Sequence, residues 1–135
     1  MIPKFRVAFK NNILGEVGSI DFVDETVTIP VYDKVDGEYL GDNVLGLNKV
    51  TLMQSTGLFD NSTPKKEIFE SDIVEWEHKD TGQLVRGIVK YDTELGFWGM
   101  TDVRFNGLRA IGYLTNQKVT VLGDIYKNKE MVEVE

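Results

Sequence analysis

Apolar and polar side chains alternate along most of this chain, and this repeat of two residues is typical of half-buried β-strands. In the first such segment, Phe5, Val7 and Phe9 fall on one side and basic residues fall on the other. No helical repeat of any length interrupts the alternation. The sequence therefore predicts a mainly β protein, or an α+β protein with little helix.

Residues 1–53 are predicted to form a small N-terminal β lobe. Two strands are expected to begin near Ile20 and Val27, joined by a short acidic turn. Pro30 lies inside the second of them and should place that strand at a sheet edge, because proline has no N–H to donate. Residues 33–48 contain spaced glycines and few large apolar side chains, so the sequence predicts a loop there.

Residues 54–135 are predicted to form a second β lobe. Asn106-Gly107 is its strongest hairpin signal, because both residues tolerate a positive φ. Regular short strands separated by tight turns favour a small antiparallel barrel or sandwich. The β-like runs are residues 68–77, 83–91, 96–103, 109–114 and 118–125.

The charge of the chain is negative and unevenly distributed. Asp and Glu total 22 against 15 Lys and Arg, a net charge of -7, so a general polyanion binder is excluded and direct nucleic-acid binding is not expected. Residues 16–42 sum to -7, from eight acids and Lys34, and residues 67–80 sum to -5, from six acids and one lysine. Solvated strand faces explain these blocks. An alternative is left open, in which the two acidic blocks mimic nucleic acid and occupy the nucleic-acid-binding site of a host protein.

The residue types that the chain lacks narrow its chemistry. It has no cysteine and one histidine, His78. Disulfides, thiolate metal sites and cysteine nucleophiles are therefore excluded, and the composition fits a reducing compartment. The sequence shows neither a signal peptide nor an apolar run of about 18 residues, so we expect a cytosolic protein without a membrane partner.

Five separated segments carry motifs that can be recognised together. Two of them are KEIFESDIV at residues 66–74 and VLGDIYKN at residues 121–128. The others are residues 1–7, 52–58 and 96–98. Taken together and in chain order, these five segments resemble the YopX family of phage and prophage proteins.

The resemblance implies a mostly β protein of phage origin that acts in the host cytoplasm. It also implies an SH3-like barrel as the second lobe, residues 54–135, and it brings no assigned activity. One departure concerns Ser71, because the family usually has glycine directly before the Asp-Ile-Val triplet. With serine at this position, a positive φ is less expected.

An aromatic group in the second lobe is the candidate binding site: Trp76, Tyr91, Phe97 and Trp98. Small barrels often bind peptides or bases on such rings. The alternative is that the rings fill the core of a small barrel. Trp76 stands between two glutamates, which argues against stacking on nucleic acid.

Asp72, Asp124 and His78 are the only residues from which a small metal-dependent hydrolase could be argued. The structural alternative is that each carboxylate accepts hydrogen bonds from N–H groups of its own turn. We favour this alternative and assign no catalytic residue, metal ligand or cofactor. The expected function is that of a non-enzymatic accessory protein, which binds a host or phage protein through a barrel surface or an open edge strand, with a homo-oligomer as a further form of association.

Overall fold

A computed structural model confirms the mainly β prediction. It describes residues 3–77, 81–94, 96–102, 105–110 and 119–131. No α-helix occurs in these ranges, and none of their helical segments has the length and apolarity needed to span a membrane. Two single-turn 3-10 helices lie at Leu47–Lys49 and Lys129–Met131. The strands are β1 Phe5–Phe9, β2 Asn12–Glu16, β3 Ser19–Asp21, β4 Thr26–Tyr32, β5 Tyr39–Gly46, β6 Thr51–Phe59, β7 Glu67–Phe69, β8 Asp72–Glu77, β9 Leu84–Asp92, β10 Phe97–Asp102, β11 Phe105–Ala110 and β12 Thr120–Asp124.

The chain divides into two compact units within β6. The N-terminal unit is Ile2–Gln54 and the C-terminal unit is Ser55–Glu135. The sequence predicted its lobe boundary between residues 53 and 54. The SH3-like character of the second lobe stays a prediction.

In the N-terminal unit, β1 pairs antiparallel with β2 and with the first half of β6. A second antiparallel sheet has the order β3-β4-β5. Alternate residues of β4, Val27 and Ile29, point inward and form the unit's buried core with Val7 of β1. Partly buried residues pack against this core: Val17, Ile20, Leu45, Leu47, Val50 and Leu52.

The prediction that Pro30 marks an edge strand is wrong. Pro30 lies in β4, the middle strand of its sheet, opposite Asp42 of β5. The short strand β3 pairs only with Thr26–Thr28, so β4 has one strand neighbour at Pro30. Proline is tolerated there because β3 ends opposite Thr28, so no strand on that side of β4 needs an N–H from residue 30.

The prediction of a loop over residues 33–48 is also wrong. Residues 39–46 form β5, which pairs with β4 along nearly its whole length. The burial pattern explains the error, because most of β5 is exposed and its sequence therefore lacks an alternating apolar face.

In the C-terminal unit, a sheet of five strands has the order β11-β10-β9-β8-β12, and each described pairing is antiparallel. The second half of β6 pairs with β7. Leu58 and Trp98 are partly buried against the unit's core. The buried residues of that core are Ile68, Val74, Trp76, Val85, Val89, Met100, Val119 and Val121.

The Asn106-Gly107 turn is a third prediction that the structure corrects. Both residues lie within β11, where Thr101 pairs with Leu108 and Asp102 with Phe105. The register of the pairing therefore shifts here, and Asn106-Gly107 lie inside the strand instead of in a turn between strands. Of the predicted run 109–114, only the first two residues fall among the described ones.

Candidate functional site

The predicted aromatic group is divided between core and surface. Trp76 of β8 is only 2% exposed and belongs to the core of the C-terminal unit. Its neighbours on the strand, Glu75 and Glu77, are more exposed, as the alternation predicts. The ring of Trp76 therefore fills the core, as the structural alternative held.

Tyr91 and Trp98 form a ring pair at the surface of the same unit. They lie opposite each other in the pairing of β9 with β10, and their ring centroids are 5.1 Å apart at 65°. Tyr91 is 45% exposed, while Trp98 packs against the core. Phe97 is half-buried beside them, opposite Asp92. Edge-to-face packing of this kind stabilises a sheet, and ligand binding by these three rings stays a prediction.

The two candidate carboxylates, Asp72 and Asp124, are brought together by the fold. They are partners in the antiparallel pairing of β8 with β12, and both are buried. Asp72 Oδ2 accepts a hydrogen bond of 2.8 Å from the N–H of Phe69. Asp124 Oδ1 accepts hydrogen bonds of 3.0 Å from the N–H groups of Tyr126 and Lys127. Each carboxylate thus binds the backbone of its own turn.

The motif at residues 121–128 ends in a turn that is also held by hydrogen bonds to the backbone. The N–H of Asn128 donates to the carbonyl of Asp124, and Asn128 Oδ1 accepts from the N–H of Asp124. A Cβ atom on Gly123 would overlap the side chain of Asn128. Glycine is therefore required where this asparagine folds back over the chain.

Ser71 has a positive φ, contrary to the expectation from its departure from the family pattern. Its φ is 69°, in the left-handed region that favours glycine. The strain is held by tertiary hydrogen bonds, because the N–H of Ser71 donates to the carbonyl of Val89 and its own carbonyl accepts from Ile125. Ser71 joins β7 to β8 at the point where Asp72 meets β12.

Asp60 is a structural residue that the sequence analysis did not single out. It is buried, and its Oδ1 accepts from Ser62 Oγ at 2.6 Å and from the N–H of Lys66 at 2.8 Å. Its Oδ2 accepts from the N–H of Val121 at 2.9 Å, so one carboxylate ties the turn to β12. Burial raises the pKa of Asp60, but the hydrogen bonds from Ser62, Val121 and Lys66 outweigh it and hold the pKa below its usual value. The long sequence separation from Val121 hides this role in the sequence.

Three of the five described acids in the acidic block 67–80 have partners or are buried inside the C-terminal unit. Glu67 accepts a hydrogen bond from Ser55 Oγ, and Asp72 is buried. Glu75 forms an ion pair with Arg86 across the sheet, at 2.9 Å between Oε2 and Nε. These three acids therefore serve the unit's own structure, whereas Glu77 is exposed.

The structure describes two of the three residues from which a metal-dependent hydrolase was argued, Asp72 and Asp124. Within the ranges that the structure describes, no group of three or more potential ligands among His, Asp, Glu and Cys could hold a metal ion. His78, the imidazole that such an enzyme would need, lies outside those ranges.

The N-terminal unit presents a surface that the sequence did not predict. Five large apolar or aromatic side chains of the β4–β5 hairpin are exposed, and we call them the hairpin surface: Tyr32, Val35, Tyr39, Leu40 and Val44. Leu40 is 62% exposed and Val44 60%. Phe22 and Val23, in the turn before β4, are exposed as well. Exposed apolar groups concentrated in one hairpin are typical of interaction sites.

The tip of this hairpin is fixed by short-range hydrogen bonds. Asp33 Oδ1 accepts from the N–H of Val35 at 2.7 Å and from that of Asp36 at 3.2 Å. These two hydrogen bonds lower the pKa of Asp33, with that from Val35 the stronger. Gly37 has a φ of 77° and its N–H donates to the Asp33 carbonyl. The hairpin surface is thus carried on a defined turn.

Tyr39 and Asp42 place a polar pair on β5. The hydroxyl of Tyr39 donates to the Asp42 carboxylate, which raises the pKa of Tyr39. Tyr39 and Tyr32 pair with each other where the two strands meet the turn, and their ring centroids are 5.9 Å apart. The tyrosine rings are therefore oriented by each other and by an acid.

A cleft of about 530 Å³ borders the hairpin in the same unit. It is lined by Leu14, Gly15, Glu16, Val17, Pro30, Val31, Tyr32, Lys34 and Asn43. Its lining is mixed, with one aromatic ring, one acid and one lysine, and it shares Tyr32 with the hairpin surface.

The sequence did contain a signal for this region. Asp36-Gly37 is a turn dipeptide, and Tyr32 and Tyr39 stand on either side of it at the ends of two strands. An exposed edge strand lacks the apolar alternation by which strands are usually recognised.

Comparisons with known proteins show which family model and which solved structure the chain matches. The family model described as YopX protein matches residues 4–133. Among solved structures, the crystal structure of protein EF1440 from Enterococcus faecalis is similar, with a TM-score of 0.62 and 24% sequence identity, over 98% of this chain and 99% of that chain. At this identity the likeness shows the fold alone. No curated protein matches the chain in sequence.

Proposed function

From the premise that the chain belongs to the YopX family, we propose that it is a phage- or prophage-encoded accessory protein, not an enzyme, which acts in the host cytoplasm by binding another protein of the host or phage. The single observation that carries this proposal is the hairpin surface of the N-terminal unit. Large apolar side chains that are exposed together on one element favour association with a partner.

The chemistry of the C-terminal unit supports the non-enzymatic part of the proposal. Asp72 and Asp124 are the acids that the fold brings together, and both accept hydrogen bonds from backbone N–H groups. A carboxylate whose oxygens already accept backbone hydrogen bonds has fewer lone pairs left to take a substrate proton or a metal ion. The geometry therefore favours a structural role for both.

The test compares three forms of the tagged full-length protein in host cells. The first is the natural protein, and the second carries Leu40→Ser and Val44→Ser. The third carries Leu84→Ser, a matched control because Leu84 lies on β9 of the other unit and is 63% exposed, against 62% and 60% for Leu40 and Val44. None of these substitutions changes the net charge.

We expect chemical crosslinking and mass spectrometry to identify a protein that is bound by the natural protein and by Leu84→Ser but not by the double variant. Circular dichroism should show that all three are folded. Recovery of no protein above background at several salt concentrations would contradict the proposal. Equal recovery with the double variant would show that the hairpin surface is not where the partner binds.

A further inference from the structure

The second strand of the hairpin, β5, has an accessible edge. In the residues that the structure describes, β5 hydrogen-bonds to β4 alone, so one row of its backbone N–H and C=O groups has no neighbouring strand. The strand is eight residues long, and five of its side chains are exposed. Such an edge is a template for a further strand.

Natural proteins protect an edge of this kind by shortening it, by a β-bulge, or by placing a charge, above all lysine, or proline on it. β5 contains neither lysine nor proline; it has one acid, Asp42, and a register shift opposite Tyr32, and the apolar side chains of Leu40 and Val44 stand among its exposed residues. Gly41 has a φ of 133° at the register shift near the hairpin tip, which leaves residues 42–46 as regular strand.

The charge around this edge decides what can occupy it. Residues 16–42 sum to -7, and the acids nearest the hairpin surface, Asp36, Glu38 and Asp42, are all exposed. Two copies of this edge would bring these acids together, and like charges opposite each other destabilise strand pairing. A strand with basic side chains would gain from the same field.

We propose that β5 binds an extended basic segment of a partner protein by strand addition, with apolar side chains of the segment packing on Leu40 and Val44 and its lysines or arginines facing the surrounding acids. The inference rests on the proposed interaction function and names the chemistry of the partner. Main-chain hydrogen bonds supply affinity in this mode of recognition, and the side chains select the segment.

A cleft lies on the other face of the same hairpin. Asn43 of β5 lines it, and Asn43 pairs with Ile29 on the buried face of β4. Val44 pairs with Thr28, so its side chain points to the opposite face of the sheet. The cleft is therefore not part of the surface that receives the segment. Residues 32–44 carry four acids and one lysine, Lys34, so the hairpin that meets the segment has a net charge of -3.

The experiment titrates 15N-labelled full-length protein with three synthetic octapeptides. The first alternates lysine and valine, the second has the same side chains but a methyl group on every backbone nitrogen, and the third is octalysine. We expect the first to shift the amide resonances of residues 39–46 and to bind at least about tenfold more tightly than either of the others. The Leu40→Ser and Val44→Ser double variant should bind it about tenfold more weakly, and Leu84→Ser should bind it unchanged.

Every other outcome overturns the inference in a specific way. Equal binding of octalysine would show that charge alone attracts the peptide, as expected of a nucleic-acid mimic. Equal binding of the methylated peptide would exclude strand addition. Sedimentation of the free protein as a dimer that depends on Leu40 and Val44 would assign the edge to a second copy, and no binding of any peptide would reject the site.

The two proposals fail in distinguishable ways. Capture of a partner through the hairpin surface, without peptide binding, would leave the interaction function standing and reject strand addition. Peptide binding at β5, without a captured partner in the cell, would reject the proposed cellular function while the edge remains competent to bind.

Discussion

In the C-terminal unit, Asp60, Asp72 and Asp124 are buried and accept hydrogen bonds from backbone N–H groups. In the N-terminal unit, the acids of the β4–β5 hairpin are mostly exposed and stand beside exposed apolar side chains. The buried acids hold strands and turns in place inside their unit. Asp33 and Asp36 of the hairpin also accept hydrogen bonds within their turn, but the hairpin acids in addition add to a negative field in solvent. Acidic residues therefore have two roles in this chain: some stabilise the fold, and others make one surface negatively charged.

The same contrast bears on the motifs that identify the family. The segment 66–74 supplies β7, the strained turn at Ser71 and β8, and the segment 121–128 supplies β12 and the turn beyond it. These two segments pair with each other through β8 and β12. These two motifs therefore form a contact that holds β8 and β12 together. The candidate interaction surface lies instead in the β4–β5 hairpin, which contains none of the family motifs.

The strongest test of this contrast is the substitution Gly87→Ala in β9. A Cβ atom at this position would overlap the carbonyl oxygen of Thr101 and lie 3.2 Å from the Trp76 ring. Since the neighbouring strand must move to make room, we expect a loss of about 3 kcal/mol or more in the free energy of unfolding. Urea denaturation followed by tryptophan fluorescence measures the loss.

Gly37→Ala, at the tip of the hairpin, is the control for Gly87→Ala. It has a φ of 77°, but a Cβ atom there would meet nothing within 4 Å. The cost is then backbone strain alone, about 1 kcal/mol. Similar losses for the two variants would show that the C-terminal unit is not the more tightly packed region.

The second test removes the carboxylate that ties the turn at residue 60 to β12. Asp60→Ala leaves the N–H groups of Lys66 and Val121 without their acceptor in a buried site. We expect a loss of about 2 kcal/mol, from the cost of buried donors without partners. The same substitution at Asp33, whose donors Val35 and Asp36 are exposed to water, should cost much less. A thermal denaturation series compares the two, and equal losses would contradict the division between structural and surface acids.

Particular residues show how far the sequence could predict this molecule. Strands with one buried face, such as β4 and β9, were legible because apolar and polar side chains alternate along them. β5 was not legible because both of its faces meet solvent, and Pro30 misled because the shortness of β3 cannot be read locally. The role of Asp60 could not be predicted, because its contact with Val121, 61 residues along the chain, depends on tertiary structure.

The candidate site was harder to predict than the fold, for the same reason. The aromatic group was chosen by residue type, and the structure places Trp76 in the core while Tyr91 and Trp98 form a pair at the surface. The hairpin surface has no catalytic residue type or motif to mark it. The Asp36-Gly37 dipeptide indicates the turn, but the exposure of Leu40 and Val44, which marks the surface, comes from the structure.

A third test uses pH to measure how much the charge of Asp60 stabilises the folded protein. The pKa of Asp60 is held below its ordinary value of about 3.8, so its charged form stabilises the folded protein above that pH, and the contribution is lost as the pH falls through the lower, folded value. We expect Asp60→Asn to be less stable than the natural protein at pH 7, and the difference to narrow below about pH 3.8. Urea midpoints at pH 7, 5, 3 and 2 measure it, and a difference independent of pH would contradict a stabilising charge at Asp60.

The smallest expected effect concerns the strained turn at Ser71. Its φ of 69° costs a non-glycine residue about 1 to 2 kcal/mol. Glycine relieves that strain but loses more chain entropy on folding, so Ser71→Gly should raise the free energy of unfolding by about 0.5 kcal/mol. Ser71→Ala keeps both the strain and the backbone hydrogen bonds to Val89 and Ile125, and it should therefore bring no gain. If alanine stabilises the protein as much as glycine does, the turn is not under backbone strain, and the joint between the two motifs needs another explanation for its positive φ.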